Sequence, residues 1–335
     1  MNALNTTLIE RSGKNGYAYY RIPGIIATEK GTLITYYEAR QGGDWAVIDI
    51  YMQRSTDGGK TWEERKMLFS GNHKNTTNNP VMFVDGDTIH FLCFENYKRL
   101  FYMKSVDDGV TFTEPREITD TLEAVRDIWP WTCAAVGPGH GMKMANGRLI
   151  ATVWMASAPE NIFAHGPAKV TTIYSDDHGE TWKLGEVYQP DGSISPNEAC
   201  IAQLSDGRML MNIRTQKTQP RLPILPHYRL LAISDDGISG WKETWFEKQL
   251  PDPQCMGGMC NYPGGILFTN CASYVSRSYH TLYASHDDGK TWTDKVMYEP
   301  LAGYSDCCYN PVTKTAFVSY EYDRETEIRV REIEL

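Results

Sequence analysis

The sequence predicts an all-β fold, a six-bladed β-propeller built from the whole chain, residues 1–335, as one domain. Three observations carry that expectation: a recurring Asp-containing turn, six evenly spaced β-prone runs, and scarce helical periodicity.

The turn is Ser55-Thr-Asp57-Gly-Gly59-Lys-Thr61-Trp62. Copies begin at Ser105, Ser175 and Ser285, and a worn copy, Ser234 to Trp241, keeps only Ser, Asp and Trp. An Asp carboxylate accepts hydrogen bonds from its own turn, Gly supplies positive φ, and the hydroxyls tie the ends. The aromatic residue then caps the apolar layer beneath. Recurrence every 50 to 70 residues or so marks a repeat architecture.

The second repeat runs in step with the first. Residues 31–40, 86–96, 147–156, 207–215, 264–272 and 314–322 are apolar and β-prone, and most follow a turn glycine. Evenly spaced strands of this kind read as supersecondary units, and continuous apolarity suits the buried middle of a blade. Only the stretch around Asp120–Asp127 suggests a helix. Six units of four strands make a closed propeller. The runs end in Glu38 with Arg40, Glu95 with Asn96, Trp154, Arg214, Asn270 and Glu321. Matched strands share a direction, so these polar ends are expected at one mouth of the channel.

Composition excludes several functions. A net charge of −9 argues against nucleic-acid or anionic-membrane partners, so any anion pocket must be a local basic cluster. No apolar run approaches the ~20 residues needed to span a bilayer. The first residues, Met1 to Arg11, contain no long apolar leader, which makes the cytoplasm the expected location; a trimmed secreted form reads the same way. The eight cysteines form no CxxC pair and are expected as buried thiols, with Cys255, Cys307 and Cys308 along the pocket. The eight histidines show no zinc pattern, and no metal or other cofactor is expected.

Tyr20-Arg21-Ile22-Pro23 together with the repeated Asp turns resembles the sialidases, whose hallmarks are an Arg-Ile-Pro motif and Asp boxes. Gly137-Pro-Gly-His-Gly141 is similar to a middle segment of the bacterial members, and the likeness runs along nearly the whole chain. The resemblance implies three arginines on the substrate carboxylate: Arg21, Arg214 and Arg277. It implies Tyr304 and Glu198 as the catalytic pair, Asp44 as acid/base, and Glu321 as the carboxylate propping Arg21. Arg40, beside Asp44, joins the substrate-binding set.

Those roles also stand on chemistry. A sialic acid carries a carboxylate on its anomeric carbon, and guanidinium forks bind that group bidentately. The substrate's charge would repel a carboxylate nucleophile, so a phenol attacks better; sialidases with a Tyr nucleophile are the known exception to two-carboxylate catalysis. A phenol with an ordinary pKa near 10 needs a base, which Glu198 supplies. Asp49 competes with Asp44 but reads as part of the strand leading into the Asp turn. The resemblance implies a retaining exo-α-sialidase acting on sialylated glycans. Another 2-keto sugar acid as substrate, and intramolecular transfer, remain open readings. A binding or scaffold propeller is a reading of a different class, and it would have no use for this residue set.

Overall fold

The computed structural model describes residues 1–190, 194–217, 227–323 and 326–335. The chain opens with β1 (Asn2–Arg11) and then builds its sheets in order. The first is β2 (Tyr19–Ala27), β3 (Leu33–Arg40), β4 (Ile48–Ser55) and β5 (Lys66–Ser70). The second is β6 (Thr77–Asp85), β7 (Thr88–Glu95), β8 (Arg99–Ser105) and β9 (Arg116–Glu117), followed by the short helix α1 (Asp120–Glu123). In the third the inner strand is split into β10 (Cys133–Val136) and β11 (Met142–Lys143), both paired with β12 (Leu149–Ala156); β13 (Ala168–Ser175) and β14 (Lys183–Leu184) complete it. The fourth holds β15 (Ile194–Gln203), β16 (Met209–Lys217), β17 (Tyr228–Ser234) and β18 (Lys242–Pro251). The fifth holds β19 (Gly258–Tyr262), β20 (Gly265–Cys271), β21 (Ser278–Ser285) and β22 (Asp294–Leu301). The last contains β23 (Ser305–Asn310), β24 (Thr315–Tyr322) and β25 (Glu327–Glu334), and β1 returns to pair with β25.

This is the six-bladed propeller the repeats predict. Pairing the first strand with the last closes the ring, which hides edges that would otherwise template aggregation. The six apolar runs are the second strands, β3, β7, β12, β16, β20 and β24. They are almost wholly buried between the neighbouring blades. Buried aromatic and aliphatic side chains fill those layers, and burial at about 25 cal/mol per Å² is the main stabilising term.

Each Asp turn joins the third strand of a blade to its fourth. In the first, Asp57 Oδ1 accepts from the Lys60 and Thr61 amides at 3.1 and 2.9 Å, and Oδ2 accepts from the Thr61 hydroxyl at 2.6 Å. Ser55 Oγ receives the Gly59 amide at 2.9 Å. The same bonds recur around Asp107, Asp177 and Asp287. Asp236 in the worn copy recovers them from the Ile238 and Ser239 amides instead. These hydrogen bonds, led by the Thr hydroxyl, lower the carboxyls of Asp57, Asp107 and Asp177 to about 2.

The innermost strands β2, β6 and β15 all carry a register break near the mouth where they begin: between Arg21 and Gly24, Asn78 and Val81, and Pro196 and Ala199. A bulge re-aims side chains at a rim. At the first of these, Ile22 is buried with φ at +55°, an outlying conformation for a β-branched residue. At the second, Asn79 has φ of +50°. Backbone strain of this kind persists only where surrounding contacts over-determine it, and all three breaks border one pocket.

Candidate active site

That pocket is lined by Arg21, Arg40, Asp44, Glu198, Arg214, Arg277 and Tyr304, so seven of the eight sequence-selected residues meet there. Glu321, the eighth, lies directly behind them. The second strands end at this mouth, which is why Arg40, Trp154, Arg214 and Glu321 gather as expected. Two strand ends do not take part. Asn270 is buried and donates to the Pro251 carbonyl at 2.8 Å, and Glu95 is taken up by Asn75 and Arg99.

Tyr304 occupies the centre. Its hydroxyl donates to Glu198 Oε1 at 2.7 Å and accepts from Arg214 Nη1 at 2.7 Å. Arg214 also forms an ion pair with Glu198. The guanidinium carbons of Arg21, Arg214 and Arg277 lie 5.1, 5.9 and 5.1 Å from the centre of the Tyr304 ring. Three cations thus converge on one ring. Burial pushes the Tyr304 phenol above its ordinary value, and the arginines only partly offset this. The hydroxyl is therefore protonated at neutral pH and requires an adjacent base.

Glu321 is fully buried and answers the charge behind Tyr304. Its Oε1 accepts from Arg21 Nε at 3.1 Å and from the Ile22 amide at 3.1 Å. Its Oε2 accepts from the Tyr304 amide at 3.0 Å. A Cβ on Gly303 would stand 2.5 Å from Oε2, so only glycine fits there. Burial disfavours the charged carboxylate, but Arg21, Arg277 and the backbone donors outweigh it and hold Glu321 below its ordinary pKa. One side chain fixes both an arginine and the tyrosine backbone.

Asp44 sits on the loop after β3, half-exposed, with Oδ1 2.6 Å from Arg40 Nη1 and 3.8 Å from Arg21 Nη1. Arg40 is itself buried, held by Glu38 Oε2 at 2.7 Å from Nε. The other Glu38 oxygen receives the Asn79 amide at 2.7 Å. In the resting site, burial and two cations act on the Asp44 carboxyl in opposite directions. Burial does raise it, but Arg40 and then Arg21 prevail, and the carboxyl lies below its ordinary value. Trp45, next in the chain, packs on Tyr97, with ring centres 4.6 Å apart, and donates to the Phe163 carbonyl at 3.2 Å. Asp49 is buried away from the pocket, bound by the Tyr17 hydroxyl and His73, each at 2.7 Å.

The remaining wall was not singled out from sequence. Tyr97, Trp154 and His165 stack with centres 5.0 to 6.0 Å apart, and Asn79, Asn197 and Gln216 add polar groups. Burial holds His165 below its ordinary pKa, so this wall is neutral. Only Trp154, at a matched strand end, carried a signal. The cysteines are all buried thiols, but they do not line the pocket as expected. Cys255 packs behind Tyr304 with Cys271, Cys307 lies 3.8 Å from Cys260, and Cys308 lies toward the other end of the channel. Among the described residues no group of three or more His, Cys, Asp or Glu side chains is arranged to hold a metal. None of their helices is long and apolar enough to cross a membrane.

The BNR repeat-like domain family matches residues 31–314. The chain is 30% identical over 329 residues to a sialidase of Micromonospora viridifaciens, covering 86% of this chain. The chain belongs to the sialidase family with BNR repeats. A Bacteroides fragilis sialidase is 25% identical over 357 residues, covering 93% of this chain. The chain spans 47% and 62% of the lengths of these two relatives. Among solved structures, the Hadza microbial sialidase Hz136 superposes with a TM-score of 0.83 at 25% identity, covering 98% of this chain and 68% of that one. An intramolecular trans-sialidase from Ruminococcus gnavus shares the fold, with a TM-score of 0.78 at 17% identity and 98% and 97% coverage. The three-arginine pocket of this sialidase-family chain thus sits on a fold shared with both solved structures.

Proposed function

We propose that the protein is a retaining exo-α-sialidase that releases a terminal sialic acid from a glycan, with Tyr304 as nucleophile. The observation that carries the reading is the Tyr304 hydroxyl bonded to Glu198 inside a ring of three guanidinium groups. The substrate carboxylate takes the space facing Arg21, Arg214 and Arg277, which places the anomeric carbon over Tyr304. Tyr304 Oη attacks that carbon as the glycosidic C–O bond breaks, and its proton passes to Glu198. Asp44 delivers a proton to the leaving oxygen. Water deprotonated by Asp44 then attacks the anomeric carbon of the tyrosyl ketoside, the C–O bond to Tyr304 breaks as Glu198 returns the phenolic proton, and two inversions give retention.

Asp44 must arrive protonated. The entering carboxylate neutralises part of the field from Arg21, one of the two cations holding Asp44 ionised, and so raises its pKa during the step that needs the acid. The arginines read the carboxylate rather than the substituent at C5, so a deaminated sugar acid is a second substrate for the same site. Incubation with a 2,3-difluorinated sialic acid followed by peptide mass spectrometry tests the nucleophile. A label on Tyr304 is expected, and a label on Glu198 or Asp44 overturns its role. Failure to release sugar acid from fluorogenic N-acetylated and deaminated glycosides alike overturns the reading as a whole. Product NMR then separates water from the sugar's own hydroxyl as acceptor.

A further inference from the structure

One layer beneath the pocket, on the propeller axis, lies a buried ion pair that the reaction does not use. Asp306 is fully buried on β23, two residues beyond Tyr304, which immediately precedes that strand. His140, from the Gly137–Gly141 segment that splits the inner strand of the third blade, places Nδ1 2.9 Å from both Asp306 oxygens. Asp306 Oδ2 also accepts from the Ile25 amide at 3.1 Å, four residues along β2 from Arg21.

The backbone around the pair is cut to fit it. A Cβ on Gly258, at the start of β19, would lie 2.2 Å from Asp306 Oδ1, and one on Gly139 would lie 3.2 Å away. The Gly139 carbonyl accepts from the Tyr36 hydroxyl at 2.7 Å, and that hydroxyl receives the Met82 amide at 3.2 Å. Hydrogen bonds thereby tie four of the six blades together around Asp306 and Tyr36. Burial opposes a charge on His140, but Asp306 outweighs it and raises the imidazole to about 9, so His140 is protonated at neutral pH.

A buried ion pair contributes little net stability, and an apolar layer of equal volume would serve a merely structural plug as well or better. Directional bonds, in contrast, set distances between strands. We propose that His140 and Asp306 are positioning residues that fix the start of β23, and with it the adjoining Tyr304, in height and tilt against the strand bearing Arg21. The inference rests on the reading of Tyr304 as nucleophile. Small displacements of a reacting group are costly: about 1 Å lowers a rate by roughly a hundredfold.

The test compares His140→Phe, His140→Gln and Asp306→Asn in the intact protein, using a fluorogenic sialoside for kcat and KM. Binding of an unreactive 2,3-didehydro sugar acid reports the arginine cluster, and thermal melting reports the fold. His140→Phe and Asp306→Asn are expected to lower kcat by about 10- to 100-fold, with KM and inhibitor affinity within about threefold. His140→Gln, which keeps an N–H donor toward Asp306, is expected to restore most of kcat. Unchanged kcat in folded His140→Phe overturns the proposal. So does a parallel loss of turnover and inhibitor binding, which marks a purely structural role. If His140→Phe does not fold, Asp306→Asn and His140→Gln are judged by the same split. A wild type inert toward every sialoside defeats the nucleophile reading itself, whereas an active wild type with indifferent variants defeats only the positioning role.

Discussion

The Tyr304 hydroxyl and Glu198 Oε1 stand 2.7 Å apart, although 106 residues separate them in sequence. Burial keeps this phenol protonated, and under the proposed mechanism the carboxylate beside it takes the proton. Tyr304→Phe removes one hydroxyl and keeps the ring that the three arginines enclose. Turnover should fall by at least about a thousandfold, with an unchanged melting temperature. Glu198→Gln keeps the shape and loses the base, and should lower kcat by about a hundred- to ten-thousandfold. Wild-type turnover in either variant would remove that residue from the mechanism.

Arg277→Lys preserves charge but loses the planar fork, so it separates point-charge attraction from bidentate recognition. KM should rise and kcat should fall together, because carboxylate placement sets the position of the anomeric carbon over Tyr304. The control is Arg329→Lys, far from the pocket, where Arg329 pairs with Glu327 and Glu299. Steady-state kinetics on one sialoside decide it: equal kinetics in both variants would take Arg277 out of the site.

The Asp turns should act on stability alone. Asp107 is held at about 2 by bonds from Thr111 and Ser105, against an ordinary value of 3.8. A depressed folded-state pKa contributes stability above the unfolded value, and that contribution is lost as pH falls through the folded one. Asp107→Ala should therefore melt below wild type at neutral pH, and the gap should close between about pH 4 and pH 2. Its kcat at 25 °C should match wild type. A change in KM would tie the turn to the site.

Much of the molecule was legible because it repeats. The turns and β-prone runs each recur at a regular spacing, and their local chemistry suffices to place the blades and the mouth. The motif around Arg21, with the residue types at 44, 198, 214, 277, 304 and 321, placed most of the pocket. What stayed hidden depends on contacts between distant segments. Nothing near Glu38 in sequence announces that it would hold Arg40 and the Asn79 amide, and nothing near His140 points to Asp306. Nor does adjacency set the partners of a side chain: Trp45 follows Asp44 in the chain yet packs on Tyr97. The cation governing Asp44 is Arg40, on the same strand end and buried by a carboxylate from within that strand.

That last relationship yields a prediction with a defined sign. Asp44 and Asp49 are five residues apart, up to roughly 17 Å of extended chain, and only Asp44 lines the pocket. Asp49 is spent on Tyr17 and His73, whereas Asp44 opens into the pocket. Asp44→Ala should cripple cleavage of natural sialosides, whose alcohol must be protonated as it leaves. It should largely spare substrates with a good phenolic leaving group, and Asp49→Ala should show no such contrast. Arg40→Gln removes the nearer of the two cations that stabilise ionised Asp44, so the carboxyl pKa must rise. For a general acid the active form is the protonated one, lost as pH increases through its pKa. The alkaline decline of kcat on a natural sialoside should therefore move to higher pH in Arg40→Gln, even where weaker substrate binding raises KM. Profiles measured with a phenolic sialoside should shift far less, because departure of the phenol scarcely needs the proton. A decline that stays in place on the natural substrate would show that Arg40 does not set the acid, and the contrast appearing in Asp49→Ala instead would move the acid/base role to Asp49.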